Sequence, residues 1–527
     1  MGARMRKGAC AFIGQGKRAG CSFYHAPGLR NSTQRKQTAG TGGGPREAAV
    51  SGRVLRQARR YLIVQTAEWN PSKLPNVIRP NCRMTIAPYI MICYNICTMS
   101  NYRRRILDEI LAERIGSTGA VVLEGPKWCG KTTTCERIAN SCIYLTDPDR
   151  RDQYLQIAQT EISTLLSGDS PRLIDEWQDI PQIWDAVRHT VDRSGGERHF
   201  ILTGSSVVSP KKRKQIRHSG TGRFSWLKMR PMSLWESGES SGEVSLRDLF
   251  DRPDEFSTAK AQERKLKDMA FIICRGGWPL SVGKSGRAAL RHAKDYYIAV
   301  TESDISRYDD VPRDPARVRA IMKSYARLQG TQSNLSAIRK DIVANESQSI
   351  SEDTIASYLK ALKGIFVVEE LPAWCPELRS KDSVRTSDTR FFVDPSIAAV
   401  ALGTTPNGLM DDLRSYGYFF EALAVRDLRT YMDAVDGCVR RYHDKTGLEC
   451  DAVMQSWDGS YALAEVKLGG ESLIEEGAAA LNKLRSLIED RKLSLPRFLM
   501  VVTAVGEFAY RRKEDGVIVC PITCLKP

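Results

Sequence analysis

The chain has 527 residues, 42% of them hydrophobic and 27% charged. That size and composition exclude a disordered, collagen-like or disulfide-dense protein and predict two to four domains. The formal net charge is +16, but +14 of it falls in residues 1–100, where sixteen Lys and Arg face only Glu47 and Glu68. The basic character therefore belongs to one end, and the remainder offers no global electrostatic footprint for nucleic acid.

Residues 1–98 combine Arg with Gly runs such as GTGGGP at 40–45 and read as a basic, flexible extension. Met99, directly before an Arg-rich stretch and an amphipathic helix, reads as an alternative beginning of the protein. The apolar stretch Met84–Met99 is broken by Pro88, Tyr94 and Asn95, too short and mixed for a membrane span. The basic start lacks the apolar segment of a secretory signal, so a cytoplasmic protein is expected. Fourteen cysteines include the C-x3-C pairs Cys93/Cys97 and Cys520/Cys524, but no second pair at zinc spacing.

From Arg103 the pattern becomes regular. Ile106, Leu107, Ile110, Leu111 and Ile115 share one helical face. Short apolar runs then alternate with helical stretches: Ala120–Leu123, Cys142–Leu145, Leu173–Ile174, His199–Leu202 and Trp226–Leu234. This alternation predicts an α/β layer around a mostly parallel sheet over residues 99–240. Residues 241–314 read as a helical lid or connector, broken by the turn Gly276-Gly277-Trp278-Pro279. Three helices within 315–375, at Arg317–Leu328, Asn334–Ile342 and Glu352–Leu362, precede a β-like run at Gly364–Leu371. Both a winged helix and a small helical spacer fit that order. Residues 376–527 predict a helix at Tyr416–Tyr431, a strand at Cys438–Asp444 and a hairpin about Asp458-Gly459. A helix at Glu475–Ile488 and a buried strand at Phe498–Thr503 complete this part.

The strongest motif is Gly125, Pro126, Lys127, Trp128, Cys129, Gly130, Lys131 and Thr132, a G-x4-G-K-[ST] string between a strand-like run and a helix-like stretch. Such a loop turns backbone N–H groups toward phosphate oxygens. Lys131 would bridge the β- and γ-phosphates of ATP, Thr132 would bind Mg²⁺, and Thr133 extends the contact. Asp175 ends a later apolar run and would hold Mg²⁺ through water, with Glu176 polarising the attacking water. Ser205, in the polar end of the run Phe200–Ser206, would sense the γ-phosphate. Arg223 reads equally as an arginine finger, in cis or from another subunit of a homo-oligomer, or as a structural arginine. Lys211–Lys214 (KKRK) reads as a solvated loop before a nucleic-acid patch. Cys129 reads as a packing residue of the loop.

The strings GPKWCGKT, RLIDEWQ, FILTGSS, HSGTGR and RPMSLWES resemble those of prokaryotic AAA+ ATP-binding proteins. These carry a C-terminal domain of unknown function similar to a restriction endonuclease fold. The resemblance spans residues 101–527 and includes Gly276–Pro279 and Gly417-Tyr418-Phe419-Phe420-Glu421. It implies ATP binding and hydrolysis. In the C-terminal part, Asp451 on one hairpin arm faces Glu465-Val466-Lys467 on the other. Asp451 and Glu465 would hold a second divalent metal, Mg²⁺ or Mn²⁺, Lys467 would activate water, and Glu421 would add an acidic group. This order of elements resembles PD-(D/E)xK nucleases. An ATP-dependent nuclease on DNA or RNA and a non-cleaving, nucleotide-switched binding protein both follow from it.

Overall fold

The computed structural model describes residues 102–346, 349–377 and 387–527, all within one compact unit, Cys97–Pro527. The basic extension, the Met99 beginning, the Met84–Met99 stretch and the Cys93/Cys97 pair lie outside the described residues. No described helix is long and apolar enough to cross a membrane.

Five strands form the first sheet: β1 (Ala120–Glu124), β2 (Ser141–Tyr144), β3 (Arg172–Asp175), β4 (Phe200–Gly204) and β5 (Phe224–Lys228). All pairings are parallel, in the order β2-β3-β4-β1-β5. Side chains alternate across a pleated strand, and here both faces are covered. Val121, Leu123, Leu173 and Ile201 pack with the Leu107–Ser117 helix. Ala120, Val122, Ile174, Phe200 and Leu202 face the other way, toward the Ile183–Arg193 helix. Burial on both faces explains why these strands read as continuous apolar runs.

The run Trp226–Leu234 is not one strand. β5 ends at Lys228, and Ser233 caps the short helix Leu234–Ser237 through a capping box with Glu236. Pro231 cannot donate to a strand ladder, so pairing stops before it.

The second sheet has seven strands. These are β7 (Ala259–Lys260), β8 (Cys438–His443), β9 (Glu449–Gln455), β10 (Tyr461–Lys467), β11 (Leu499–Thr503), β12 (Phe508–Arg511) and β13 (Ile518–Pro521). A small two-stranded sheet pairs β6 (Val244–Ser245) with β14 (Leu525–Lys526). The large sheet runs β7-β12-β13-β11-β10-β9-β8. β8, β9 and β10 are antiparallel neighbours, whereas β10, β11 and β13 are parallel. The turn between β9 and β10 sits at Asp458-Gly459, with Gly459 at φ +86°. β6 and β7 stitch residues 241–262, part of the expected helical lid or connector, into the C-terminal part.

Helices Pro315–Arg327, Leu335–Glu346 and Glu352–Gly364 follow the predicted order. The expected β run after them is reduced to the isolated antiparallel bridges Val368↔Phe392 and Leu371↔Thr389. Phe366 at φ +57° turns the chain, which breaks a regular strand there.

The helix Leu413–Asp433 is buried almost all round, between the second sheet and the helices Leu266–Arg275 and Pro395–Leu402. It carries the ionic centre of the joint between the two sheets. Arg426 pairs with Asp394 at 2.7 Å and Asp427 at 2.7 Å. Asp394 also accepts from Gly277 N (3.0 Å), and Asp427 from Leu234 N (2.9 Å). Gly277 O accepts from Met232 N at 2.7 Å, and a Cβ on Gly277 would meet Met232 O at 2.2 Å, so only glycine fits. The strings RPMSLWES and GGWP, which carry no chemistry of their own, are thus the two lips of a buried polar joint.

Candidate functional site

The loop between β1 and the Lys131–Glu136 helix is shaped by close backbone approach. A Cβ on Gly125 would meet Met229 O at 2.2 Å, and Gly130 takes φ +103° before the helix. Cys129 is buried in the apolar cluster beneath the loop, as a packing residue. Arg105, also buried, donates to Cys129 O (2.7 Å) and Arg230 O (2.8 Å) and pairs with Glu236 at 2.9 Å. Lys131 Nζ donates to the carbonyls of Gly125 (3.0 Å) and Pro126 (2.9 Å). Lys127 reaches out to Asp304 at 2.8 Å, and Trp128 meets Tyr296 edge-on.

The ends of β3 and β4 complete this site. Thr132 Oγ1 donates to Asp175 Oδ1 at 2.8 Å, and Thr203 Oγ1 donates to the same oxygen. Burial raises the Asp175 carboxyl above its ordinary range, against the lowering effect of those two hydroxyls. Glu176 sits in the left-handed region, φ +55° and ψ +44°. Its Oε2 accepts from Ser205 N at 3.1 Å and Ser205 Oγ at 2.8 Å, and from Gln178. The strained backbone and the serine together aim the carboxylate into a cavity of about 960 Å³ shared with Lys131, Thr132, Thr133 and Asp175.

Arg223 is not brought to this cavity. It precedes β5, whose Phe224 pairs with Ala120 at the start of β1, whereas the loop leaves the opposite end after Glu124. Its guanidinium pairs with Asp192 at 2.7 Å. Besides Lys127 and Lys131 of the loop, the basic residues Arg151, Lys212 and Arg307 line the cavity instead. Lys212 belongs to the KKRK run, and neither arginine lies in a motif. Only the folding of the helical segment over the loop places Arg307 there.

The C-terminal candidates do converge. Arg441 NH1 bonds Glu421 Oε1, and Arg441 NH2 lies 3.1 Å from both Glu449 Oε2 and Asp451 Oδ1. Asp451 Oδ2 accepts from Val466 N at 3.0 Å. Lys467 Nζ lies 3.4 Å from Glu465 Oε2 and 3.0 Å from Glu476 Oε1. Glu465 Oε1 is buried without a hydrogen-bond partner. Among the described residues, no group of three or more His, Cys, Asp or Glu side chains has a metal-holding arrangement. The expected pair Asp451 and Glu465 is therefore present, but Arg441, which sequence reading missed, engages the first of them.

Burial pushes Glu421 up to about 8, offset only in part by Arg441. Burial, with Asp451 beside it, also raises Glu465 well above the carboxylate range. A carboxyl raised on folding contributes stability that is complete below its unfolded value and is lost as pH rises through its folded one. For Glu421 that window runs from about 4.5 to about 8. Thermal unfolding at pH 5.5 is expected several degrees above that at pH 8.5, and Glu421→Gln should flatten this slope. An unchanged slope in the variant would place the titration elsewhere.

Residues 117–237 match the family model described as an AAA domain. Residues 266–408 match a domain of unknown function, DUF8612. That match and the all-parallel sheet with its Gly125–Thr132 loop support an AAA-type P-loop fold for residues 117–237. The chain is also similar to the Walker-type ATPase paby2304 of Pyrococcus abyssi, with 14% identity, a TM-score of 0.34, and 56% of this chain and 94% of that one covered. The Aeropyrum pernix ORC1 protein in complex with DNA shows 15% identity and a TM-score of 0.19, over 58% of this chain and 91% of that one. Drosophila ORC bound to DNA shows 12% and 0.18, over 67% and 99%. No curated protein matches the chain.

Proposed function

We propose that the chain is a Mg²⁺-dependent AAA-type ATPase that couples nucleotide hydrolysis to its C-terminal, nuclease-like module. The observation that carries the reading is the direct Thr132–Asp175 hydrogen bond, with Glu176 held next to it by Ser205. The loop amides and Lys131 bind the triphosphate. Thr132 and Asp175 would hold Mg²⁺, which neutralises charge on the β- and γ-phosphates. Glu176 orients water and takes its proton, and Ser205 reports on the γ-position. For Lys131→Ala, ATP turnover about 100- to 1000-fold lower is expected. A variant that binds and hydrolyses ATP normally would overturn the assignment. Arg223, at the far end of the sheet, would act as a finger only from a neighbouring copy.

The helix–strand–hairpin–helix–strand order of residues 413–503 supports the nuclease-like fold. The contacts of Arg441 favour the non-cleaving reading, in which nucleotide state governs association with nucleic acid or protein. The three-helix segment and its bridged strands support a winged-helix-like element, clamped by Glu369 to Arg230 at 2.8 Å. Labelled DNA and RNA should survive incubation with the whole protein, ATP and Mg²⁺ or Mn²⁺. Cleavage lost in Glu465→Ala would replace this reading with the ATP-dependent nuclease.

A further inference from the structure

The C-terminal cluster is an imbalance of charge in a dry place. Glu421, Asp451 and Glu465 are buried, and Glu449 joins them from the partly exposed edge. Arg441 and Lys467 are the cations bonded to them. Buried carboxylates this close persist only with a cation among them. A divalent metal and a guanidinium both supply one, and they make different demands. A metal needs several oxygen lone pairs converging on one point. A guanidinium needs the same oxygens spread around a planar fork of N–H donors.

The geometry matches the fork. Arg441 spends NH1 on Glu421 and NH2 on Glu449 and Asp451, and its guanidinium is itself buried. Both Asp451 oxygens are engaged, Oδ1 facing Arg441 and Oδ2 accepting from Val466 N. Lys467 is shared between Glu465 and Glu476. Of the three buried carboxylates, Glu465 Oε1 is the oxygen that is buried with no hydrogen-bond partner among the described residues. These residues as arranged do not fit the divalent metal that the nuclease-like fold implies.

The backbone explains how the aspartate and the arginine meet. Register shifts between Arg440 and Tyr442 where β8 pairs with β9, so that Arg441 alone stands opposite Asp451 and Ala452. The extra residue belongs to β9, and this bulge turns Asp451 out of the strict alternation, toward Arg441. Trp374 N donates to Arg441 O and Arg441 N to Pro372 O, both within hydrogen-bond range, so the residue is also pinned from its outer side.

We infer that Arg441 takes the place of the divalent cation in the C-terminal carboxylate cluster and closes that cluster to metal. This deepens the non-cleaving reading of the module and rests on it, but not on the ATPase assignment, which Lys131 tests separately. Mn²⁺ titrations of the whole, nucleotide-free protein decide it, read by calorimetry and by thermal unfolding. The native protein is expected to show no saturable Mn²⁺ site that Asp451→Asn removes. Arg441→Gln should gain one, at least ten-fold tighter than any in the native protein. Mn²⁺ should raise the Tm of that variant and not of the native chain, and adding Asp451→Asn should abolish the gain. If Arg441→Gln does not fold, Arg441→Met provides the same vacancy with more apolar packing. A native protein that binds Mn²⁺ through Asp451 as tightly as the variant overturns the inference. So does a folded variant that gains no site, because the cluster would then have no cation position for Arg441 to fill.

Discussion

Glu176→Gln should bind ATP with near-native affinity and hydrolyse it about 100- to 10,000-fold more slowly. The amide keeps the shape and still accepts from Ser205 N and Oγ, the contacts that hold the side chain in the cavity. It cannot take a proton, and the adjacent carboxylate, Asp175, is engaged by Thr132 and Thr203. The loss should therefore appear in kcat with little change in KM. Equilibrium nucleotide binding measured beside steady-state turnover separates the two. A kcat within three-fold of native would mean that Glu176 is not the base, and attention would move to Asp179 on the same cavity wall.

The largest expected loss of stability comes from Arg426→Met. Asp394 and Asp427 are both fully buried, and each also holds a backbone N–H from the other side of the joint. Removing the cation strands two carboxylates in a low-dielectric setting, a change that costs about 3–5 kcal/mol when one partner of a buried pair is lost. Burial already pushes Asp427 up to about 6 even with Arg426 beside it. The urea midpoint of the whole protein should fall accordingly. Arg188→Met, which breaks the partly exposed pair with Asp192, should cost under about 1 kcal/mol. Equal losses in the two variants would show that the joint is not integral to the fold.

The ATPase sheet was legible because its strands are covered on both faces and its loop chemistry is confined to one string. Trp226–Leu234 misled, because apolar composition persists through Pro231 although strand pairing does not. The hairpin with Asp451, Glu465 and Lys467 was readable from period-2 alternation about Asp458-Gly459. Arg441 was not, since an arginine beside Arg440 reads as solvent-facing, and nothing local shows that its strand lies over Glu421 and Asp451. Arg151 and Arg307 reach the cavity beside Lys131 only through tertiary folding of distant segments, for which no local pattern exists. The strings around Gly277 and Ser233 were visible as motifs, but their purpose is shared: each supplies a backbone N–H to a buried aspartate, Gly277 to Asp394 and Leu234 to Asp427.

β6 and β7 have a consequence for how the chain is made. Both are synthesised directly after the ATPase sheet, yet their partners β14 and β12 come more than two hundred residues later. Pairings of such wide sequence separation form late, since loop closure precedes any gain from contact. A growing chain can complete the five-stranded parallel sheet while residues 241–262 wait with open strand edges. The seven-stranded sheet then closes backward over a segment made long before it. Cutting the gene at residue 376 to express the halves apart would leave one half with unpaired edges and the other without its outermost strand, whereas a cut at 240 keeps both pairings on one piece.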